Sequence, residues 1–385
     1  MRHAVVIAAV RTPVARASAE KGMFRDARAD DLSADLLTAL IQRSGVPAEA
    51  IEDIHWGCVK QQGEQGYNVG RMASLIAGLP IEVGACTVNR LCGSSLQAIH
   101  QAAQSIAANC EDVQIAGGVE HMSHIPMEAG FDPSPRLHYK NSPATMNMGL
   151  TAENLAMRYK ISRKDQDTFA YESHRKAIAA TDAGAFAAEV VPTWGRDDEG
   201  NKRLMTVDQC IRRDTTVEAL GALRAAFMPE GGSVTAGNSS PLNVGAAGLL
   251  LMSEERAKQL GLTPMARIRA MAVAGVDPSV MGIGPVPATL KALQRAGLTL
   301  ADIDLIELNE AFAAQSLAVM RTLKLDPAKV NVNGGAIAIG HPLGGSGARI
   351  ATTLLHAMKA RGARLGLATM CIGAGQGIAT IFEAV

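Results

Sequence analysis

Three residues in glycine-rich settings could carry covalent and proton-transfer chemistry: Cys92 in NRLCGSSLQA, His341 in NGGAIAIGHPLGGSGAR and Cys371 in LATMCIGAGQG. Cys92 opens a run of small residues that reads as a helix from Ser94, so its thiol faces the exposed N–H groups and positive end of that helix. Such a setting favours thiolate over thiol, and a nearby imidazole would complete the activation of a good nucleophile. A free cysteine also packs much like alanine, and position alone leaves both readings open. His341 stands in a glycine-dense turn stiffened by Pro342, where a fixed imidazole could take the proton. Cys371 ends an apolar strand, and the glycines that follow can aim backbone N–H groups at an oxyanion. A second thiol with an ordinary pKa of about 8.5 could both give and take a proton near neutrality. In LIELNEAFAAQ (305–315), Asn309 and Glu310 interrupt an apolar strand before a helix predicted from Ala311; either could cap that helix or hold a water or carbonyl.

The elements that must position these residues come in two copies. Shifted by 252 residues, LTALIQRSG (37–45) lies over TLKALQRAG (289–297) and IEDIHWG (51–57) over IDLIELN (303–309). NRLCGSS (89–95) then lies over HPLGGSG (341–347), matching Cys92 with Gly344 and Asn89 with His341. In each copy an apolar strand (Val5–Ala9; Ala266–Ala270) leads to an amphipathic helix ending at Gly45 or Gly297. A second strand, a Gly/Ser turn, a small-residue helix (Ser94–Ala108; Ser346–Ala360) and a third strand follow. Alternating strands and helices predict βαβαβ-type halves with parallel strands, packed as a pseudo-dimer with their turns at equivalent sheet edges, where ligand crevices form. A further shift of 129 lays AGLLLMSE (247–254) over QGIATIFE (376–383), so residues from about 121 to 243 form an insert into the first half. The expected division is 1–120 with 244–262, an inserted loop domain at 121–243 for substrate binding, and 263–385.

Composition excludes several classes. With 37 basic and 37 acidic residues there is no charge excess to draw nucleic acid or an anionic membrane. The longest apolar stretch, VGAAGLLLM, is too short to cross a bilayer, and Pro13 interrupts the N-terminus before a signal-peptide core can form. Six cysteines with no C-x-x-C spacing predict reduced thiols in a cytoplasmic protein and no metal site.

From end to end, NRLCGSS, GVEHM, MGLTAEN, TAGNSSPLN, NEAFAAQ, GGAIAIGHPLGGSGAR and CIGAGQG resemble the thiolase family in order and spacing. More narrowly, IHWGCV, CTVNRLCGSS, GPVPA and LATMCIGAGQGIAT resemble the thiolases of bacterial fatty-acid oxidation complexes. The resemblance implies an α/β thiolase fold, two halves layered as an α-β-α-β-α sandwich with the insert. It implies thiolytic cleavage of a 3-ketoacyl-CoA, the last step of fatty-acid β-oxidation, with no bound cofactor and coenzyme A as co-substrate. Cys92 would be the nucleophile, His341 its base, and Cys371 the acid and base for the leaving acetyl-CoA carbanion and incoming CoA. One oxyanion hole would comprise His341 and an Asn309-held water, the other the N–H groups of Cys92 and Gly373. For CoA and acyl contacts the matching positions are Ser240, Arg212, beside Arg213, and Met148. A homodimer is implied, as is an α2β2 complex with a hydratase/3-hydroxyacyl-CoA dehydrogenase subunit. Two positions depart from the pattern: Val244 follows Asn243 where the family usually has Asp, and Gly345 stands where this branch often has cysteine.

Two other activities fit the duplicated fold. A biosynthetic acetoacetyl-CoA thiolase would share the chemistry with a shorter acyl pocket, whereas a β-ketoacyl synthase would set two histidines beside its cysteine. A silent CoA- or lipid-binding module would not need the full set of reactive residues.

Overall fold

The computed structural model describes residues 2–385. Its strands are β1 (Ala4–Arg11), β2 (Ala15–Arg16), β3 (Asp53–Gly57), β4 (Gly84–Val88), β5 (Val113–His121), β6 (Thr193–Arg196), β7 (Lys202–Met205), β8 (Asn243–Ser253), β9 (Ala266–Gly275), β10 (Leu305–Leu308), β11 (Leu365–Ile372) and β12 (Gln376–Glu383). Its α-helices are α1 (Ala29–Ser44), α2 (Val69–Ile76), α3 (Ser94–Ala107), α4 (Pro135–His138), α5 (Met148–Arg158), α6 (Arg163–Asp182), α7 (Val217–Gly221), α8 (Glu254–Gln259), α9 (Pro285–Ala296), α10 (Ala313–Leu323) and α11 (Ser346–Arg361). Gly45 and Gly297 close α1 and α9 at φ +69° and +68°, conformations a side chain would strain. No helix among the described residues is long and apolar enough to cross a membrane.

The first half orders its strands β4-β3-β5-β8-β1 and the second β10-β11-β12-β9. β3 runs parallel to β4 and β5, and β10 parallel to β11. The last strand of each half departs from the all-parallel expectation. β8 is antiparallel to β5 and β1, and β12 to β11 and β9. An antiparallel partner needs no crossover helix, and β12 follows β11 through the short turn at 373–375. The same connection in the first half, between β5 and β8, carries the whole insert. The ladders pair Val113 with Met252 and Leu365 with Glu383, so with Val113 laid on Leu365, Met252 falls two residues from where the sequence alignment puts it. A slip of two leaves every side chain on its own face, which is why the apolar patterns still matched.

Helices α3 and α11 lie at the centre. Leu96 and Ile99 of α3 and Ile350 and Leu354 of α11 share one apolar core with Leu249 of β8 and Ile268, Ile378 and Phe382 of β9 and β12. Leu36, Leu37 and Leu40 of α1 cover the outer face of the first half. Ala288, Ala292 and Leu293 of α9 and Val319 and Leu323 of α10 cover that of the second. The layers therefore run α-β-α-β-α, and the half-sheets touch through two pairs, Val5–Arg267 and Val6–Ala266. The insert begins and ends in turns, as its composition suggests, with α5 and α6 between them; a reciprocal capping box of Ser162 and Asp165 starts α6.

Close backbone approach joins the halves near the reactive residues. A Cβ on Gly118 of β5 would drive into the carbonyl oxygens of Gly344 and Gly57, and one on Gly347 of α11 into the backbone of Leu96 on α3. Gly118→Ala is expected to cost about 1–3 kcal/mol as overpacking against backbone. A urea unfolding midpoint equal to that of the unaltered protein would show that the seam has slack.

Candidate active site

Cys92 sits on the turn between β4 and α3, two residues before the helix. Leu91 is held at φ +46°, a left-handed conformation that costs a non-glycine residue about 1–3 kcal/mol. Local bonds compensate. Leu91 N–H donates to Asn89 Oδ1 at 2.9 Å, and Ser94 Oγ accepts from Arg90 N–H at 3.0 Å while donating to Leu91 O at 2.6 Å. Arg90 also reaches Gln376 Oε1 of the other half at 3.0 Å.

The helix N-terminus favours the Cys92 thiolate, but it is not the largest influence on that sulfur. Burial pushes the Cys92 thiol up to about 11, and the charge of Glu120 pushes the same way. Hydrogen bonds from the backbone N–H groups of Gly373 and of Cys92 itself oppose the rise without overcoming it. Desolvation outweighs the helix dipole, so a base must take the proton before the sulfur attacks.

The same N–H from Gly373 brings the second half to the nucleophile. Gly373 follows β11 two residues after Cys371, which is 1% exposed and packs with Met281, Ala311, Met148 and Phe312. The Cys371 thiol is raised well above the ordinary range, by burial first and by the charge of Cys92 second. The ordinary titration expected from its sequence setting is thereby lost. Leu91 and Met148 press on Gly373, where an added Cβ would meet Leu91 Cδ1 at 3.2 Å and Met148 Sδ at 3.3 Å.

His341 is buried, and its hydrogen bonds fix its tautomer. Ser346 Oγ donates its one hydrogen to Pro342 O at 2.8 Å, so at 2.5 Å from His341 Nδ1 it can only accept. Nδ1 therefore carries the ring proton, and Nε2 is left with the lone pair a base needs, facing Asn309 Nδ2 at 3.4 Å. Burial, and then Arg349, push the imidazole down to about 3, so it is neutral across the physiological range. Asn309 Oδ1 is buried without a partner, an acceptor open to a water or a ligand donor. Neither Asn309 nor Glu310 caps a helix. α10 starts at Ala313, and Glu310 instead accepts from Ser173 Oγ at 2.6 Å, Asn331 Nδ2 at 2.8 Å and Ile337 N–H at 3.2 Å, pinning three segments.

Two further residues, given no role by the sequence reading, hold the turn that carries His341. Glu120 of β5 accepts from Gly344 N–H at 2.8 Å, from Val59 and Lys60 N–H at 3.0 Å and from Gln65 Nε2 at 3.1 Å, a caged carboxylate of the first half gripping the second. Asn243 accepts from His341 N–H at 2.7 Å and donates to Ala15 O at 2.9 Å. Its neighbour Val244 is buried with Met23, Phe24 and Leu32, an apolar seat for the residue that departs from the family pattern. Only the motif letters of GVEHM and NSSPLN were legible beforehand, because the partners lie far along the chain.

The residues expected at CoA are placed less uniformly. Ser240 donates from Oγ to Ala311 O at 3.1 Å and from N–H to the same oxygen at 3.0 Å, beside the Asn309 turn. Met148 opens α5 against Cys371 and Gly373. Arg212 is exposed, and among the described residues no hydrogen bond or ion pair joins it to Cys92, Cys371 or His341; Arg213 pairs with Asp182 at 2.6 Å. The pair is thereby resolved into an engaged Arg213 and an unengaged Arg212 guanidinium.

Among the described residues one group has the composition of a metal site: Glu64, His121 and His124, with ligand atoms within 4.8 Å of one another. The rings stack at 3.6 Å and 20°, so their in-plane lone pairs run side by side and do not converge. His124 faces Glu64 Oε1 at 3.0 Å and Arg25 O at 2.8 Å, and His121 faces Phe24 O at 3.1 Å. The group works as a hydrogen-bonded clasp where the insert leaves β5.

Family models for the thiolase N-terminal domain and the thiolase C-terminal domain match residues 4–255 and 262–384. The 3-ketoacyl-CoA thiolases of Yersinia pestis (strain Pestoides F) and Aeromonas salmonicida (strain A449) are 57% and 55% identical to the chain, covering 100% of both partners in each case. The crystal structure of human mitochondrial 3-ketoacyl-CoA thiolase superposes with a TM-score of 0.92 at 41% identity, over 100% of this chain and 99% of that one. The crystal structure of the Bacillus anthracis acetyl-CoA acetyltransferase gives 0.91 at 40% over the same shares.

With the thiol at about 11, alkylation of the Cys92 peptide by iodoacetamide, followed by mass spectrometry, is expected to quicken about tenfold per pH unit between pH 7 and 9. A rate already level below pH 8 would mean that the resting sulfur is ionised.

Proposed function

The chain belongs to the thiolase family, and from that premise we propose that it cleaves a 3-ketoacyl-CoA with coenzyme A to give acetyl-CoA and a chain-shortened acyl-CoA, as in the last step of fatty-acid β-oxidation. The observation that carries the mechanism is the convergence at the Cys92 sulfur of its own N–H and that of Gly373, one from each half, with the Cys92 charge felt at Cys371.

His341 Nε2 takes the Cys92 proton, and the sulfur attacks the 3-keto carbon. The N–H groups of Cys92 and Gly373, which bear on the sulfur, are assigned to the tetrahedral oxyanion. The bond between the second and third carbons breaks, leaving the acyl group on Cys92 and a carbanion at the methyl carbon of acetyl-CoA. Its enolate oxygen is stabilised by His341 and a water on Asn309, whose unpartnered Oδ1 supports that role. Cys371 gives its proton to the carbon, then takes one from the thiol of incoming CoA, whose sulfur removes the acyl group from Cys92 as His341 returns its proton to the departing Cys92 sulfur. The raised thiols suit this order: with Cys371 buried and Cys92 partly so, the site resists two negative sulfurs, so one charge is discharged before the next forms.

Ser240 is assigned to the pantetheine arm, Arg212 to the adenine end and Met148 to the acyl wall, within an insert taken as 121–243 between repeated units 1–120 with 244–262 and 263–385. Coenzyme A acts as co-substrate with no bound cofactor. The identity of 55–57% to 3-ketoacyl-CoA thiolases favours this substrate over acetoacetyl-CoA alone; the near-equal superpositions on both structures do not separate the two. A homodimer fits the unpaired outer edge of β4, beside which Ile76, Ile81 and Tyr67 are exposed. A cytoplasmic α2β2 assembly with a hydratase/3-hydroxyacyl-CoA dehydrogenase subunit completes the reading.

Cys92→Ser is expected to keep CoA binding near the unaltered level and abolish acyl transfer, because a hydroxyl is a much weaker nucleophile at neutral pH. Unaltered turnover in the serine variant would refute the assignment. Cys371→Ala should lower turnover by about 10²-fold or more, with acyl-Cys92 still formed; rapid acyl exchange would remove Cys371 from the mechanism. Thiolytic rates on 3-ketoacyl-CoA of graded length, with and without the partner subunit, test substrate class and assembly together.

A further inference from the structure

The nucleophile and its base stand on turns from opposite halves, and an unbroken path of hydrogen bonds joins the two turns. On the first, Leu91 N–H, beside Cys92, donates to Asn89 Oδ1 at 2.9 Å, and Asn89 Nδ2 donates to Val59 O at 3.1 Å. That carbonyl shares one planar peptide unit with Lys60 N–H, which donates to Glu120 Oε1 at 3.0 Å. The other carboxylate oxygen, Oε2, accepts from Gly344 N–H of the second half at 2.8 Å. Gly344 lies in the tight turn closed from Gly345 N–H to Pro342 O, and Ser346, at its end, accepts from His341 Nδ1 at 2.5 Å. The ends of the path are counterparts in the repeat: Asn89 is matched to His341, and Gly344 to Cys92.

Glu120 is the joint of this path. It is 0% exposed, and N–H donors fill both of its oxygens, Lys60 and Gln65 at Oε1 and Val59 and Gly344 at Oε2. Only a side chain that accepts at both ends fits, because an amide would turn a donor towards one pair of donors. The second turn also rests directly on the segment that carries the path: a Cβ on Gly344 would meet Cys58 Cα and Gly57 O at 2.8 Å.

We propose that Glu120 is a positioning residue of the reaction, which sets the separation and angle between Cys92 and His341 through Lys60, Val59 and Asn89 on one side and Gly344 on the other. Proton transfer from the thiol needs the imidazole within hydrogen-bond reach, and a misplacement of about 1 Å can cost about 10²-fold in rate. Each link is a backbone amide, a carboxylate or a short side-chain amide with a narrow range of good angles, so slack at one turn passes to the other.

The inference rests on the acyl-transfer reading for its purpose. Glu120→Gln keeps the volume but cuts the path at one end, and is expected to lower kcat per folded molecule about 10²-fold while KM for CoA stays within about twofold. Asn89→Ala cuts the same path at an exposed residue, and should lower kcat about tenfold, the worth of one ordinary hydrogen bond. The double variant should fall no further than Glu120→Gln alone. In a His341→Ala background there is no imidazole to position, so Glu120→Gln should cost nothing more in single-turnover acylation of Cys92, whereas a general structural defect would cost as much as before. Unaltered kcat in either single variant, or an equal further loss without the imidazole, would overturn the proposal. Should Glu120→Gln not fold, Asn89→Ala carries the same comparison. Lack of thiolytic turnover in the unaltered protein would remove the activity reading, and hydrogen exchange would then decide the path. Leu91 N–H is expected to lose protection in Glu120→Gln, and Gly344 N–H in Asn89→Ala, each at the far end from the substitution; unchanged exchange at both would show that the turns are not joined.

Discussion

Partial withdrawal of the Cys92 thiol from water, and full withdrawal of the Cys371 thiol, is the constraint on which the site depends. Burial raises both Cys92 and Cys371, and the charge of Cys92 raises Cys371 further. Such an enclosure tolerates one negative charge where hydrogen bonds are already aimed, and resists a second. A neutral imidazole with its lone pair on Nε2 complements this environment, since it adds no charge to the enclosure at rest and offers a proton acceptor inside it. The glycine seams serve the same end by letting strand, turn and helix backbones approach until no water fits between them.

Each half supplies what the other lacks. The first contributes the nucleophile on a strained turn and the caged carboxylate of Glu120; the second contributes the imidazole, the second thiol and the Gly373 N–H. Glu120 accepts from Gly344, the residue that the repeat matches to Cys92 itself. Duplication thus places two similar turns face to face, and divergence of a few letters gives them different tasks: a sulfur on one, an imidazole on the other.

Much of this was legible in the sequence because it repeats. Gly45 and Gly297, the paired helices at Ser94 and Ser346 and the apolar strand runs carry their own local causes, and those survive translation by 252 residues. Strand direction was not legible for β8 and β12, since a fully buried apolar run reads the same both ways. The protonation state of Cys92 was only partly legible, because the helix dipole is a local feature, whereas desolvation depends on everything packed around the turn. Asn309 and Glu310 looked like caps for a related reason. Their partners, His341, Ser173, Asn331 and Ile337, are brought to them by the fold and have no signature at the spacing of a cap.

The unequal connections between equivalent strands bear on the route to the folded state. β11 reaches β12 across residues 373–375, whereas β5 reaches β8 only after 122–242 have been threaded through α5 and α6. By loop-closure entropy alone the longer connection is harder to close by about 3 kcal/mol. The C-terminal hairpin, with Cys371 and Gly373 at its bend, is therefore a local contact of low entropic cost, whereas the matching ladder of the first half joins segments that the insert holds far apart along the chain.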